Sequence, residues 1–282
     1  MKFVKANGLV IHYLDQGRRD GPPLAFINSL GCDFRIWNEV AEILAPDFRI
    51  VLYDKRGHGL SESGPDENGM ADYARDLEAL LDHLGVGRST IVGLSIGGLI
   101  AQEVYRQSPE RVEALVLCDT AAKIGTDDVW RQRIGEVERG GIEALADATM
   151  ERWFTAHFRA ARSTELAGIR AMLTRTPRQG YLAACGALKR ADLRPYAGSI
   201  QAPTLCLVGD QDGSTPPALV KETAALIPGS HFEIIEGAGH LPNVERPEVV
   251  ARLIAEHARR TGSRAHGADR AGDRRKIRLA GN

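Results

Sequence analysis

"STIVGLSIGGLIAQEV", Ser89 to Val104, sets one serine between glycines. Thr90 to Gly93 read as the end of a buried strand, and Leu99, Ile100 and Val104 as the apolar side of a helix. The pentapeptide Gly93-Leu94-Ser95-Ile96-Gly97 decides little alone, since roughly one chain in ten of this length carries G-x-S-x-G by chance. A strand before it and a helix after it change its meaning. A sharp strand-to-helix turn pushes a hydroxyl out at the top of a sheet, and Gly93 and Gly97 leave room where a Cβ would clash. Gly98 eases the helix against the strand. Ser95 is therefore read as a nucleophile.

The same alternation runs outward from this stretch. Leu24–Leu30, Arg49–Asp54, Glu113–Asp119, Pro203–Asp210 and His231–Gly237 are short apolar runs rich in Val, Ile and Leu. Helical patterns fill Asp72–Leu84, Ile96–Gln107, Ala218–Ile227 and Pro247–Arg259. Near-continuous apolar strands alternating with helices predict an α/β fold, a mostly parallel sheet with helices on both faces. The first residues, with Asn7-Gly8 as a turn signal, predict an antiparallel hairpin. Between Thr120 and Ser199 the alternation stops, and helical spacing carries Trp130, Trp153 and Phe154. The predicted layout is a core over residues 1–119 and 200–260, with a helical cap over 120–199. Such a cap roofs a pocket at the carboxyl ends of the strands. From Thr261 periodicity is lost, and Arg264, Arg270, Arg274, Arg275, Lys276 and Arg278 outnumber Asp269 and Asp273. Residues 261–282 are expected to be a disordered basic tail.

Composition narrows the class. The 282 residues are 43% hydrophobic and 26% charged, with a net charge of -1. That balance argues against nucleic acid or a membrane surface as the main partner. No apolar run spans a bilayer, and the N-terminus lacks a secretory pattern. Cys32, Cys118, Cys185 and Cys206 are scattered without metal-type spacing, so buried thiols in a cytoplasmic protein are expected.

A serine nucleophile needs a histidine base and an acid that holds the histidine's tautomer. His240, in the loop "EGAGHLPNVERP" after the last strand, is the expected base. His58, in "YDKRGHGLSES", is its strongest rival and is read as structural. His12 falls in the hairpin and His83 in a helix. His157 lies in the cap, where it could line the pocket, and His231, His257 and His266 read as surface positions. For the acid, "LVGDQDGSTPP" offers Asp212, far enough into its loop to swing toward His240, and Asp210, placed to satisfy turn donors. Asp119, after the preceding strand, stays open as a third choice. The order Ser, Asp, His along the chain suits such a fold. Two N–H donors should hold the oxyanion, one from Ile96 and the other from Leu30 in "INSLGCD".

With these residues in view, the chain from Met1 to about Arg260 resembles the α/β-hydrolase superfamily through Gly93–Gly97, Tyr53–Ser61 and Gly237–His240. More narrowly it resembles the 3-oxoadipate enol-lactonases of the β-ketoadipate pathway of aromatic catabolism. "INSLGCDFRIW" (Ile27–Trp37), "LADATMERWFT" (Leu145–Thr155), "RTPRQGYLAACGAL" (Arg175–Leu188) and "DQDGSTPP" (Asp210–Pro217) carry that likeness. The resemblance implies ring opening of an enol-lactone by Ser95, Asp212 and His240. It implies a small-molecule lactone or ester substrate and no metal or organic cofactor. The implied substrate has a free carboxylate, so a cation is expected in the pocket, with Arg133 and Arg35 as candidates. Trp153 is either an apolar wall of that pocket or ordinary packing. A carboxylesterase, a C–C bond hydrolase or a perhydrolase could use the same triad, and a small-molecule binding module is the non-enzymatic alternative.

Overall fold

The computed structural model describes residues 1–261. The sheet strands are β1 (Lys2–Ala6), β2 (Leu9–Gly17), β3 (Pro23–Ile27), β4 (Arg49–Tyr53), β5 (Ser89–Leu94), β6 (Val112–Cys118), β7 (Thr204–Gly209) and β8 (His231–Ile235). The helices of the first half are α1 (Asn38–Leu44), α2 (Met70–His83) and α3 (Ile96–Gln107). Between β6 and β7 lie α4 (Asp127–Gly140), α5 (Ala146–Trp153), α6 (Ala156–Ala161), α7 (Ser163–Thr174), α8 (Arg178–Arg190) and α9 (Arg194–Ala197), with no strand among them. Then come α10 (Pro217–Leu226), α11 (Pro242–Glu245) and α12 (247–261). The basic tail expected at the C-terminus lies, from residue 262 on, outside the described residues.

The eight strands run in the order β1-β2-β4-β3-β5-β6-β7-β8. β1, β2 and β4 pair antiparallel and every other pair is parallel. At the hairpin, Asn7 and Gly8 both have positive φ (46° and 83°), the geometry that the sequence signal demands. β5 and β7 are buried at every residue, as strands covered on both faces should be. β3 ends at Ile27, three residues before the apolar run does. There Asn28 leaves the ladder, and its amide donates to the Cys32 carbonyl.

The strand order places the site. β3 has β4 on one side and β5 on the other, so the chain reverses its direction of travel across the sheet between β3 and β5. Crevices open at the strand ends beside such a reversal. Ile27 pairs with Gly93, so Leu30 and Ser95 leave the sheet side by side. The helical segment is pinned to the neighbouring loop after β4. Gly57, in the loop after β4, and Gly180, in α8, approach backbone to backbone, and a Cβ on either would strike the other.

His257, expected at the surface, is instead buried in α12, with Nε2 3.2 Å from the Pro203 carbonyl. Burial pushes its pKa down to about 4. A histidine held neutral in the fold but free to protonate when unfolded costs stability as the medium is acidified. Its contribution is complete above the ordinary value near 6.5 and is lost as pH falls toward 4. We expect the urea-unfolding free energy to drop by about 2 kcal/mol from this residue between pH 7 and 5. His257→Gln should flatten that part of the profile. An equally steep profile in the variant would remove His257 as the cause.

Candidate active site

Ser95 sits between β5 and α3 with φ 58° and ψ -118°, a conformation that costs a side-chain-bearing residue about 1–3 kcal/mol. The surroundings enforce it. Ser95 N donates to Cys118 O (3.0 Å), and Thr120 Oγ1 donates to Ser95 O (2.6 Å). A Cβ on Gly93 would strike the Gly97 backbone, and one on Gly97 would meet Ile27 O at 2.5 Å. A Cβ on Gly98 would strike the Thr120 side chain, which gives physical content to the small residue there.

The ties to Cys118 and Thr120 put the serine turn against the end of β6, and Asp119 lies between them. Asp119 also has positive φ, 44°. Its Oδ1 accepts Gly209 N (2.9 Å) while its Oδ2 is buried with no partner among the described residues. Asp119, Asp212 and His240 each bring a polar atom within 4.8 Å of the others. Asp212 is the one bonded to the ring: its Oδ2 is 2.9 Å from His240 Nδ1. Its Oδ1 accepts Ser214 N (2.7 Å) and Thr215 N (3.0 Å), and Thr215 Oγ1 donates to Oδ2 (2.6 Å). Burial raises a carboxyl, but the His240 ring and these donors outweigh it, and Asp212 titrates below the ordinary carboxylate range. Asp119 goes the other way, pushed well up by burial and then by the Asp212 charge. Asp210 is exposed and accepts Ala238 N (3.1 Å), a turn role. Asp212 and His240 are bonded to each other, while Asp119 accepts Gly209 N and is bonded to neither of them.

His240 Nδ1 faces the acid, which leaves Nε2 for a substrate-side proton. Among the described residues no hydrogen bond links Ser95 Oγ to that nitrogen. In ligand-free sites such bonds tighten only on the reaction path. Two backbone N–H groups beside the serine turn are left without an internal acceptor. Ile96 opens α3, where a helix leaves its N–H without an internal acceptor. The Leu30 N–H has no acceptor among the described residues. His58 is buried in its loop with Nδ1 3.1 Å from Arg56 O. His12 bonds Asp54 (2.8 Å). His83 closes α2, and His157 and His231 are exposed. His266 lies outside the described residues.

The helical segment meets this site through Trp153. Its carbonyl accepts His240 N (2.8 Å), and its buried ring lies 6.4 Å from the His240 ring. The neighbouring Arg152 C=O accepts Gly213 N (3.2 Å) from the acid loop. Glu245 adds a second tie, accepting Thr155 N (2.8 Å) and Gly239 N (3.2 Å). Arg133 stacks on Trp130 (5.7 Å) and donates to Tyr181 Oη (3.3 Å). The edge of Tyr181 in turn lies against Gly31, next to Leu30. Burial and the charge of Arg133 both lower the Arg152 guanidinium, so the two cations feel one another. Among the described residues neither has an ion-pair partner.

Arg35 is placed elsewhere. Its side chain is 64% exposed and forms a two-pronged pair with Asp33 (2.6 Å at the shorter contact). It lines a groove of about 850 Å³ with Met1, His12, Asp33, Phe34 and Met172, and no triad candidate reaches that groove. The cause is local. Asp33 caps the turn Phe34–Trp37 through Arg35 N (3.0 Å) and draws the guanidinium outward with it. Arg152 and Thr215 were not singled out from sequence. The Asp-Gly-Ser-Thr run carried a usable signal for Thr215, a turn closed by its own aspartate. Arg152 carried none, since an arginine in a helix reads as a solvated face.

The family model for the alpha/beta hydrolase fold matches residues 22–247. The chain belongs to that family. This α/β hydrolase is 33% identical over 249 residues to 3-oxoadipate enol-lactonase 2 of Acinetobacter baylyi, covering 88% of this chain and 93% of the relative. It is similar in structure to the enol-lactonase of Burkholderia xenovorans, with TM-score 0.88 and 34% identity, over 91% of this chain and 99% of that one. A malate-bound thermophilic esterase of Thermogutta terrifontis is 31% identical with TM-score 0.87, over 93% and 99%. No described helix is long and apolar enough to cross a membrane.

Proposed function

We propose that this α/β hydrolase opens 3-oxoadipate enol-lactone to 3-oxoadipate in the cytoplasm, with Ser95, His240 and Asp212 as its triad and residues 120–199 as its cap. The observation that carries the substrate class is the pair of cations, Arg133 and Arg152, without ion-pair partners. They are linked through Tyr181 to the Leu30 loop and through Trp153 to His240. A free carboxylate on the substrate is the natural partner for them. Likeness to two enol-lactonases supports the same reading.

In this mechanism His240 Nε2 takes the Ser95 hydroxyl proton as Oγ adds to the lactone carbonyl. Asp212 holds the ring so that Nδ1 keeps its proton. The Leu30 and Ile96 N–H groups bind the oxyanion. Collapse breaks the ring C–O bond, and the departing enolate takes the proton from His240 and tautomerises to a ketone. Water, deprotonated by the same nitrogen, then attacks the acyl-serine and releases the second carboxylate and free Ser95. The Trp153 ring beside His240 helps to exclude other water.

The deciding experiment follows ultraviolet loss of the enol-lactone, with p-nitrophenyl acetate alongside. Turnover of the lactone far above that of the ester supports the assignment. Faster ester cleavage would favour the second reading, a carboxylesterase for anionic esters, which the same two arginines would serve and which the esterase likeness supports. Arg152→Ala and Arg133→Ala should each raise KM for the lactone about 10- to 100-fold, the worth of a charge-assisted bond. Neutral p-nitrophenyl acetate should change by no more than about 3-fold. Equal losses on both substrates would remove the carboxylate-anchor role.

A further inference from the structure

Lys55 follows β4 and is fully buried, with 0% of its surface exposed. Its Nζ donates to Ser29 O at 2.6 Å, with Asn28 Oδ1 and Cys32 O each at 3.4 Å. All three acceptors belong to the loop that presents Leu30. None is a carboxylate. Asp54, the preceding residue, is occupied by His12 (2.8 Å), Phe34 N (2.9 Å) and Leu60 N (2.9 Å), and Asp33 is occupied by Arg35. The Cys32 thiol nearby is pushed up by burial and stays protonated. His58, on the other side, is pushed well down by burial and by the Lys55 charge, and stays neutral. A cation has therefore been placed out of water against carbonyl oxygens, without a counter-ion in contact.

The position of the strongest bond gives it a use. Ser29 C=O and Leu30 N–H belong to one planar trans peptide, so they point in opposite directions. An ammonium on the oxygen fixes the plane and draws electrons from the nitrogen, which makes the N–H a better donor on the far side. We propose that Lys55 is a positioning residue of the oxyanion hole, its ammonium orienting and polarising the Ser29–Leu30 peptide toward the developing oxyanion. This rests on the reading of Leu30 as an oxyanion donor. Burial lowers the Lys55 pKa to about 7, against the pull of the Asp54 and Asp33 charges. The charge is then complete below neutrality and is lost as pH rises through that value, so acylation should slow on the alkaline side.

The test measures the pre-steady-state burst with p-nitrophenyl acetate from pH 6 to 10 in the wild type, Lys55→Met, Lys55→Gln and Ser95→Ala. Circular dichroism and thermal melts report on the fold. Lys55→Met should lower the acylation rate about 10- to 100-fold with KM within about 3-fold, and should lose the alkaline limb. Lys55→Gln, which keeps an N–H for Ser29 O but no charge, should fall less and also lose the limb. A folded Lys55→Met with the wild-type rate would overturn the proposal. So would an alkaline limb unchanged in Lys55→Gln, or a wild-type rate that does not fall above neutrality. If Lys55→Met does not fold, Lys55→Gln and the wild-type profile decide. A wild-type burst that survives in Ser95→Ala would instead sink the serine-hydrolase reading itself.

Discussion

Ser95→Ala is expected to lower kcat for the lactone and for p-nitrophenyl acetate by about 10⁴-fold or more, with KM changed little. Ser95 stands between the end of β5 and the first N–H of α3, beside the strand end that leads to Leu30. Loss of the nucleophile leaves only binding and oxyanion stabilisation. The strained turn adds a second, opposite expectation. Ser95→Gly removes the Cβ from a residue at φ 58° and should raise stability by about 1 kcal/mol while abolishing turnover. A glycine variant that is both inactive and more resistant to urea would mark the strain as a cost of presenting the hydroxyl. Retained activity in the alanine variant would remove Ser95 as nucleophile.

Asp212→Asn should cost about 10³- to 10⁴-fold in kcat, because an amide cannot hold the His240 tautomer as a carboxylate does. The contrast with its neighbour is the sharper test. Burial and the Asp212 charge push the Asp119 carboxyl well up, which favours its neutral form, and asparagine nearly reproduces that form's shape and charge. Asp119→Asn should stay within about 10-fold of the wild type. Neighbouring carboxyls whose pKa values are driven apart in this way divide their roles. Acid should also act on them differently. Because folding lowers the Asp212 carboxyl, its stabilisation is complete above the ordinary value near 3.9 and is lost as pH falls through the lower folded value. The reverse ranking of the two variants in a kcat assay would assign the acid to the end of β6.

Much of this was legible in the chain because its signals are local. The alternation of apolar runs and helical spacing specifies a parallel sheet, and Asn7-Gly8 specifies the hairpin. The Ser95 turn is readable because its glycines, strand and helix are contiguous, and chain order then points to loops after later strands for the acid and base. What the sequence could not rank depends on contacts made across the chain. Asp212 rather than Asp119 bonds His240 because the Asx turn at Gly213–Thr215 aims its carboxylate, while Gly209 N takes Asp119. Arg35 is drawn off by Asp33 two residues before it, whereas Arg152 is left near Arg133 with no carboxylate in ion-pair contact. His257 and Lys55 look like surface residues in any local pattern. Their burial is decided by carbonyls of Pro203 and Ser29, 54 and 26 residues away. Local backbone preference writes the elements, but a polar group's burial depends on partners that only the folded chain brings within hydrogen-bond reach.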